Sequence, residues 1–169
     1  MEAEPPLLQE LAKMVGIIAT LTIALGVAVK ANPRAAELRA CFDGVRQAAR
    51  AKLGKFEGQP GLDGIEISIR DFDRMLRGGV DFEGVAEVPP DPIEGVGWMV
   101  GIIHALEAAL EITVARNPLA FVLRSRVEDI REVATARVIG EDVLDNVFDG
   151  IDYAMDELEA MLPAESTEG

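Results

Sequence analysis

The sequence predicts an all-α protein, built by tandem duplication of a three-helix unit and packed as a six-helix bundle with pseudo-twofold symmetry. The first observation is an internal repeat, because the five residues Met14–Ile18 recur letter for letter as Met99–Ile103, 85 positions later. At the same offset the pair Asn32-Pro33 falls on Asn117-Pro118. Apolar residues between these markers recur at helical spacing. A repeat of this size is one supersecondary unit, so each copy can be used to interpret the other.

The repeat divides the chain into two units that we expect to share one core. The first three-helix repeat is predicted over residues 1–77 and the second over 93–162. A proline-rich linker is expected over 78–92, and a flexible acidic tail over 163–169. Because 49% of the 169 residues are apolar, the chain can bury a sizeable core.

The first helix of each unit is predicted to be a buried core helix. In the first unit, Leu7 to about Val29 contains the uncharged apolar run Met14–Val29. That run is shorter than the ~20 residues a membrane span needs. Its copy carries polar side chains that a lipid-facing helix would not hold, so we expect no membrane. We also expect Gly16 and Gly101 to let the two first helices approach each other closely, near the pseudo-twofold axis.

The Asn-Pro pairs predict where the second helices begin. Asparagine is a favoured N-cap and proline suits the first helical turn. We therefore expect helices over Pro33–Leu53 and Pro118–Val138, capped by Asn32 and Asn117.

The third helices are less plain in the sequence. The segment Ile65–Ile69 alternates with period two, as a strand does, whereas its copy Ile151–Leu158 has helical spacing. Since duplicated sequence keeps its fold, we predict a helix over Leu62–Leu76 and another over Glu141–Leu162.

The charge is large and uneven. The net charge is −14, of which residues 1–84 contribute −1 and residues 85–169 contribute −13. Such a surface repels phosphate backbones and anionic headgroups, which argues against direct binding of nucleic acid or membrane. The single cysteine, Cys41, excludes an intramolecular disulfide, and an acidic start without a basic leader agrees with a cytoplasmic protein.

A stripe of carboxylates follows one face of the last predicted helix, because its members are three or four residues apart. These residues are Asp142, Asp145, Asp149, Asp152, Asp156 and Glu159. Leu144, Phe148, Ile151, Met155, Leu158 and Leu162 form the apolar seam beside it. The stripe can be a solvated face. It can also bind a basic protein partner through the five residues from Asp145 onward, or hold Mg²⁺ or Mn²⁺ through Asp142, Asp145 and Asp149.

A second group lies on the first helix of the second unit. His104, Glu107 and Glu111 share one face, and their counterparts Ala19, Thr22 and Gly26 are small, so the two faces could line a pocket between the units. A histidine paired with Glu107 is one interpretation. The other makes His104, Glu107, Glu111 and Glu132 catalytic residues around a divalent metal.

The spacing of two acidic pairs resembles a known enzyme family. Asp129 and Glu132, and likewise Asp142 and Asp145, are separated by two residues. All-α nucleoside triphosphate pyrophosphatases of the MazG kind hold magnesium with Glu-x-x-Glu and Glu-x-x-Asp pairs on neighbouring helices. The resemblance implies a metal-dependent nucleotide hydrolase.

We favour a different function on the sequence as a whole. The acidic last helix, the apolar bulk and the absence of a catalytic motif indicate a cytoplasmic, non-enzymatic assembly or adaptor protein without a cofactor. It would bind a protein partner or a second copy of itself, with a homodimer as one form. The alternatives are the pyrophosphatase-like hydrolase using Mg²⁺ or Mn²⁺, and an acidic nucleic-acid mimic that occupies a basic groove.

Overall fold

The computed structural model describes residues 6–54, 58–78, 92–138 and 146–162. Within these ranges the chain forms six α-helices and no strand. The helices are α1 (Pro6–Ala31), α2 (Phe42–Ala51), α3 (Gln59–Leu76), α4 (Pro92–Ala115), α5 (Val127–Val138) and α6 (Asn146–Met161). Two 3-10 segments, Ala35–Cys41 and Ala120–Arg126, precede α2 and α5. The all-α prediction is confirmed, and Ile65–Ile69 is helical, not extended.

The two apolar helices α1 and α4 lie against each other at the centre of the structure. Helix α1 packs most extensively against α6, and α4 against α3. Helix α5 adds to the cover over α1, and α2 adds to the cover over α4. The core contains fully buried side chains from all six helices, among them Leu25, Val45, Phe72, Leu110, Ile130 and Ile151.

Four glycines let the backbones of these helix pairs touch. A Cβ atom on Gly16 would collide with the carbonyl oxygen of Val147, and one on Gly150 with that of Lys13. In the other pair, Gly101 faces the carbonyl oxygen of Gly61, and Gly64 faces that of Trp98. The expectation that Gly16 and Gly101 mark a crossing of the two first helices is therefore wrong. Gly16 lies at a crossing with α6 and Gly101 at a crossing with α3, and each of those helices also carries a glycine at the point of approach.

The Asn-Pro joints differ from the prediction as well. Oδ1 of Asn32 accepts a hydrogen bond from the backbone N–H of Arg34 at 2.8 Å, and Asn117 does the same with Leu119 at 2.8 Å. These bonds close a short turn, and a 3-10 segment follows in place of the continuous helices expected over 33–53 and 118–138. Neither asparagine is the N-cap of an α-helix, because α2 and α5 begin only at Phe42 and Val127.

The same two asparagines join the ends of the central helices. Nδ2 of Asn32 donates to the carbonyl oxygen of Thr113 at 3.0 Å, and Nδ2 of Asn117 donates to that of Ala31 at 3.4 Å. Both side chains are buried. The oxygen of each side-chain amide therefore accepts the hydrogen bond that closes its own turn. The nitrogen of the same amide donates to a carbonyl group at the end of the opposite central helix.

Parts of the predicted organisation lie outside the described residues. The linker expected over 78–92 is described only at Gly78 and Pro92, and the tail from 163 is not described. The first turn of the predicted last helix, with Asp142 and Asp145, also lies outside them.

Two helices are long and apolar enough to cross a membrane by length and composition, namely Gln9–Ala31 and Gly95–Ala115. Most of the apolar stretch of each is buried inside the structure. The core helices of a soluble bundle have the same properties, so a cytoplasmic location stays a prediction.

Substituting the contact glycines should destabilise the protein. Gly16→Ala and Gly101→Ala should each lower the free energy of unfolding by about 1–3 kcal/mol, because the new methyl group meets backbone that cannot rotate away. The control is Gly44→Ala in α2, where a Cβ meets open space; it should stabilise by about 0.5–1 kcal/mol through helix propensity. Urea unfolding of the three variants measures these changes. Equal stability of all three would show that the helices do not meet at Gly16 and Gly101.

The bridging role of the asparagines predicts unequal effects. Asn32→Asp keeps the turn oxygen but loses the N–H that bonds Thr113, so it should cost about 1–3 kcal/mol. Asn117→Asp breaks a longer bond to Ala31 and should cost less. Thermal melts at pH 7 compare the two variants. A larger loss for Asn117→Asp would contradict the bridging geometry.

Candidate functional site

The polar residue at the centre of the candidate site is Glu107, on the buried α4. Only 7% of its surface is exposed. Oε1 of Glu107 lies 3.0 Å from Nδ1 of His104, one turn earlier on the same helix. Its carboxyl group is also hydrogen-bonded to the carboxyl group of Glu157, which reaches across from α6. Two carboxyl groups and an imidazole therefore meet where α4 and α6 face each other.

The two carboxyl groups differ in pKa. Burial raises the pKa of Glu157 to about 7, and the hydrogen bond and the charge of Glu107 add to the rise. Burial would also raise the pKa of Glu107, but the hydrogen bonds with His104 and Glu157 outweigh it and lower that pKa below its usual value. The charge of Lys52 favours the ionised form of both groups. Near neutral pH, Glu107 is the carboxylate, and Glu157 can carry a proton and donate it in the hydrogen bond between them.

A cavity of about 460 Å³ opens beside this pair. It lies between α4, α6 and the last residue of the α2 region, and its lining includes Lys52, Glu107, Glu111, Val114, Glu157 and Met161. One part of the wall is thus charged and the other apolar. Oε1 of Glu157 is buried and accepts no hydrogen bond from a polar N–H or O–H group in the described part of the chain.

Tyr153 extends the network on the outer side of α6. Burial raises the pKa of its hydroxyl, and the nearby carboxyl groups of Glu157 and Glu107 raise it further. The ammonium of Lys13 lies 5.3 Å from the centre of its ring, which is close enough for a cation–π contact. The phenol therefore stays neutral throughout the physiological range.

The predicted catalytic residues are only partly brought together. His104, Glu107 and Glu111 lie along one side of α4, and the two glutamates line the cavity. Glu132 is exposed on α5 and is not part of the cavity wall. The opposite wall is formed by α6 and Lys52, and Ala19, Thr22 and Gly26 are not among the residues that line this cavity.

The described ranges contain no preformed metal-binding site. There, no three histidine, cysteine or acidic side chains are grouped closely enough to hold an ion. Asp149 lies on the exposed face of α6, while its two predicted co-ligands, Asp142 and Asp145, lie outside the description.

The acidic stripe is an outward face of α6. Asp149, Asp152, Asp156 and Glu159 are exposed, as the helical spacing predicts. Asp152 is paired with Arg131 of α5, with Oδ1 2.6 Å from Nη1. This contact is the largest cause of the raised pKa of Arg131.

Two exposed aromatic residues border this stripe. Phe148 is 37% exposed and Tyr153 is 44% exposed. At 100° per residue they lie on opposite sides of the carboxylates. Phe148 was expected in the apolar seam; it lies at the edge of that seam, where α1 does not cover it fully. A second exposed apolar group, Leu119, Phe121 and Val122, lies at the start of the second 3-10 segment.

The sequence reasoning missed Lys52, Tyr153 and Glu157 as members of the site. Glu157 is adjacent to Asp156 in sequence but 100° away on the helix, toward α4 instead of solvent. Lys52 ends a different helix altogether. The one signal in the sequence was that Glu157 lies on the inner side of the carboxylate stripe. This position does not show that its partner is Glu107.

The shared proton predicts a pH-dependent stability. Because the pKa of Glu157 is raised on folding to about 7, the folded state binds the proton more tightly, and stability falls as pH rises from about 4.5 to 7. Glu157→Gln imitates the protonated group and should gain about 1 kcal/mol relative to the parent between pH 5 and pH 8, after allowance for solvent screening of a partly exposed group.

The control for this measurement is Glu159→Gln on the exposed face of the same helix. Urea unfolding at both pH values should give Glu159→Gln and the parent the same pH dependence. A parallel dependence for Glu157→Gln and the parent would mean that Glu157 is ionised at pH 5.

No protein-family model matches the chain, and no curated protein or solved structure matches it either. Two features of the described residues can bind a partner or a ligand, namely the outward face of α6 and the half-polar cavity between α4 and α6.

Proposed function

We propose that this chain is a non-enzymatic protein-binding protein whose outward α6 face binds a basic protein surface. We call this surface the α6 face and define it by Phe148, Asp149, Asp152, Tyr153, Asp156 and Glu159. The observation that carries the proposal is the arrangement of exposed aromatic residues on both sides of a row of exposed carboxylates. Aromatic residues are enriched in the cores of protein interfaces.

The charge of the α6 face supports a basic partner. Like charges one turn apart repel one another, at a cost of a few tenths of a kcal/mol per pair. Asp152 is already compensated by Arg131, whereas the described residues form no ion pair with Asp149, Asp156 or Glu159. A partner that brings lysine or arginine side chains would relieve the repulsion and could place those cations over Phe148.

We further propose that the chain is a tandem duplication whose halves exchange their first helices. The support is that each glycine contact of one helix pair has a counterpart in the other pair. The contact of Gly16 with Val147 corresponds to that of Gly101 with Gly61. The contact of Gly150 with Lys13 corresponds to that of Gly64 with Trp98. The members of each comparison are 85 or 86 positions apart. On this proposal, both units contribute to one core and neither is a separate domain.

The pyrophosphatase-like alternative is supported less. The described acidic residues are spread over the cavity, the α6 face and α5, and no three of them are grouped so that they could hold a metal ion. The nucleic-acid mimic is a special case of the favoured function, since its target would also be a basic groove. Competition by duplex DNA for the partner would identify that case.

The α6 face can be tested with a labelled amphipathic helical peptide of lysine and leucine as the probe. In the parent, the combined change Asp149→Asn, Asp156→Asn and Glu159→Gln should weaken binding about tenfold, because exposed charges contribute up to about 1 kcal/mol each. The matched control removes three exposed carboxylates elsewhere, by Glu37→Gln, Asp63→Asn and Asp129→Asn. Fluorescence anisotropy at low and high salt measures both.

A second pair of variants tests the aromatic border. Phe148→Ala should weaken binding of the same peptide, whereas Phe121→Ala, on the exposed apolar group of the 3-10 segment, should not. Sedimentation of the parent alone measures self-association.

For the charge variants, equal weakening of peptide binding in the two triple variants would reduce the effect to net charge and contradict a specific face.

A further inference from the structure

The cavity between α4 and α6 is separate in chemistry from the α6 face. Its volume of about 460 Å³ is in the range of small-ligand sites. Three carboxyl groups, from Glu107, Glu111 and Glu157, and one ammonium, from Lys52, line its charged part. An anion entering this space would meet more negative than positive charge, so the charges favour a cation.

The remaining wall favours an organic cation over a metal ion. Val114 and Met161 line it together with two alanines, and these side chains offer no oxygen ligand. In the described chain no three metal-ligating side chains are placed so that they could hold one metal ion. A ligand that fills the cavity must therefore combine a charged end with an apolar body.

We propose that this cavity binds a small organic ammonium ion, with its charged head between Glu107 and Glu157 and its alkyl body along Val114 and Met161. The ligand class is a primary alkylamine or diamine, either free or as the side chain of a lysine residue. An ammonium group offers three N–H donors. One of them can bond the buried Oε1 of Glu157, which accepts no hydrogen bond from the described donors.

The fixed position of the Glu107 carboxylate determines where the ammonium group of the ligand binds. Its side chain is 9% exposed and is held by His104 at 3.0 Å, so the carboxylate cannot turn out toward solvent without losing that contact. In this partly desolvated place a charge-assisted hydrogen bond is stronger than one at the surface. Glu111, one turn further along α4 and exposed, stands where it can meet the second charge of a diamine.

Binding should exchange a proton for the ligand. Below about pH 7 Glu157 holds a proton in the empty site, and the arriving cation favours its loss. Affinity should therefore rise as pH increases through 7. The other groups that face the site are Lys52 at the end of α2, His104, Glu107 and Glu111 on α4, and Tyr153 on α6.

The experiment is calorimetric titration of the full chain with n-butylamine and putrescine, with 1-butanol as the uncharged control. The amines should bind and the alcohol should not. Titration in two buffers of different ionisation enthalpy at pH 6.5 should reveal proton release on binding, without any variant being made. Heat from butanol equal to that from butylamine, or no heat from either amine at millimolar concentration, would overturn the proposal.

Variants locate the site. Glu107→Gln should weaken amine binding about tenfold or more, and the control Glu37→Gln, at an exposed carboxylate outside both the cavity and the α6 face, by no more than about twofold. Lys52→Gln should tighten binding, because the ammonium of Lys52 repels the ligand. Equal weakening by Glu107→Gln and Glu37→Gln would reduce the effect to general attraction by an acidic protein and overturn the proposal. If Glu107→Gln fails to fold, the proton-release measurement and Lys52→Gln still decide the question.

The source of the ammonium is settled by one further titration. N-acetyl-lysine methylamide binding more tightly than putrescine assigns the site to a lysine side chain, and the reverse order assigns it to a free amine. Binding of neither compound overturns the proposal. The α6 face can fail its own test without affecting this result, because Glu107 and Lys52 are not part of that face.

Discussion

The structure depends on backbone contact between helices at two places, α1 against α6 and α3 against α4. At each place a glycine in both helices faces a carbonyl oxygen of the partner, and no side chain fits between them. Such close approach brings the flanking isoleucines together, so Ile17, Ile65, Ile102 and Ile151 are buried around the crossings. Dispersion and apolar burial are largest where the helices are closest. The remaining helices then cover the faces of α1 and α4 that these pairs leave open.

A polar group buried in one of the two apolar central helices needs a hydrogen-bond partner, because leaving it without one costs free energy. Two hydroxyl groups meet this need locally: Thr20 donates to the carbonyl oxygen of Gly16 at 2.8 Å, and Thr113 to that of Ala109 at 2.7 Å. The buried hydroxyl of Thr22 has no hydrogen-bond partner in the described part of the chain. Glu107 cannot meet the need in the way that Thr20 and Thr113 do, because a carboxylate is an acceptor and helix carbonyls are acceptors too. It needs donors from outside the helix backbone. The imidazole of His104 and the protonated carboxyl of Glu157 supply them, and the charge of Lys52 favours the ionised form of Glu107.

The helices could be predicted from the sequence because helical spacing is a local property. The repeat supplied what spacing could not, since the copy Ile151–Leu158 identified Ile65–Ile69 as helical. The 3-10 segments were not predicted, because the asparagine side chain that starts them closes a turn two residues on instead of capping an α-helix. The glycines were recognised as contact points but assigned to the wrong partners. A glycine in a helix indicates that another helix approaches closely at that position. It does not indicate which helix approaches.

The candidate site was predictable to a smaller extent. The exposure of Asp149, Asp152 and Asp156 follows from helical periodicity and needed no tertiary information. Glu107 and Glu157 are 50 positions apart, and only the approach of α6 to α4 makes them one chemical unit. The pKa of Glu157 is a property of that unit, because burial and the neighbouring carboxyl group both come from the packed state.

The order of the contacts along the chain has a consequence for biosynthesis. Helix α4 is covered largely by α2 and α3, which leave the ribosome before it. Helix α1 is covered by α5 and α6, which begin at Val127 and Asn146 and are made after it. The apolar surface of α1 thus leaves the ribosome before the helices that cover it, whereas α4 leaves the ribosome after most of its cover. Early docking of α1 on α4, a contact that the folded structure contains, would cover part of the α1 surface until α5 and α6 are made.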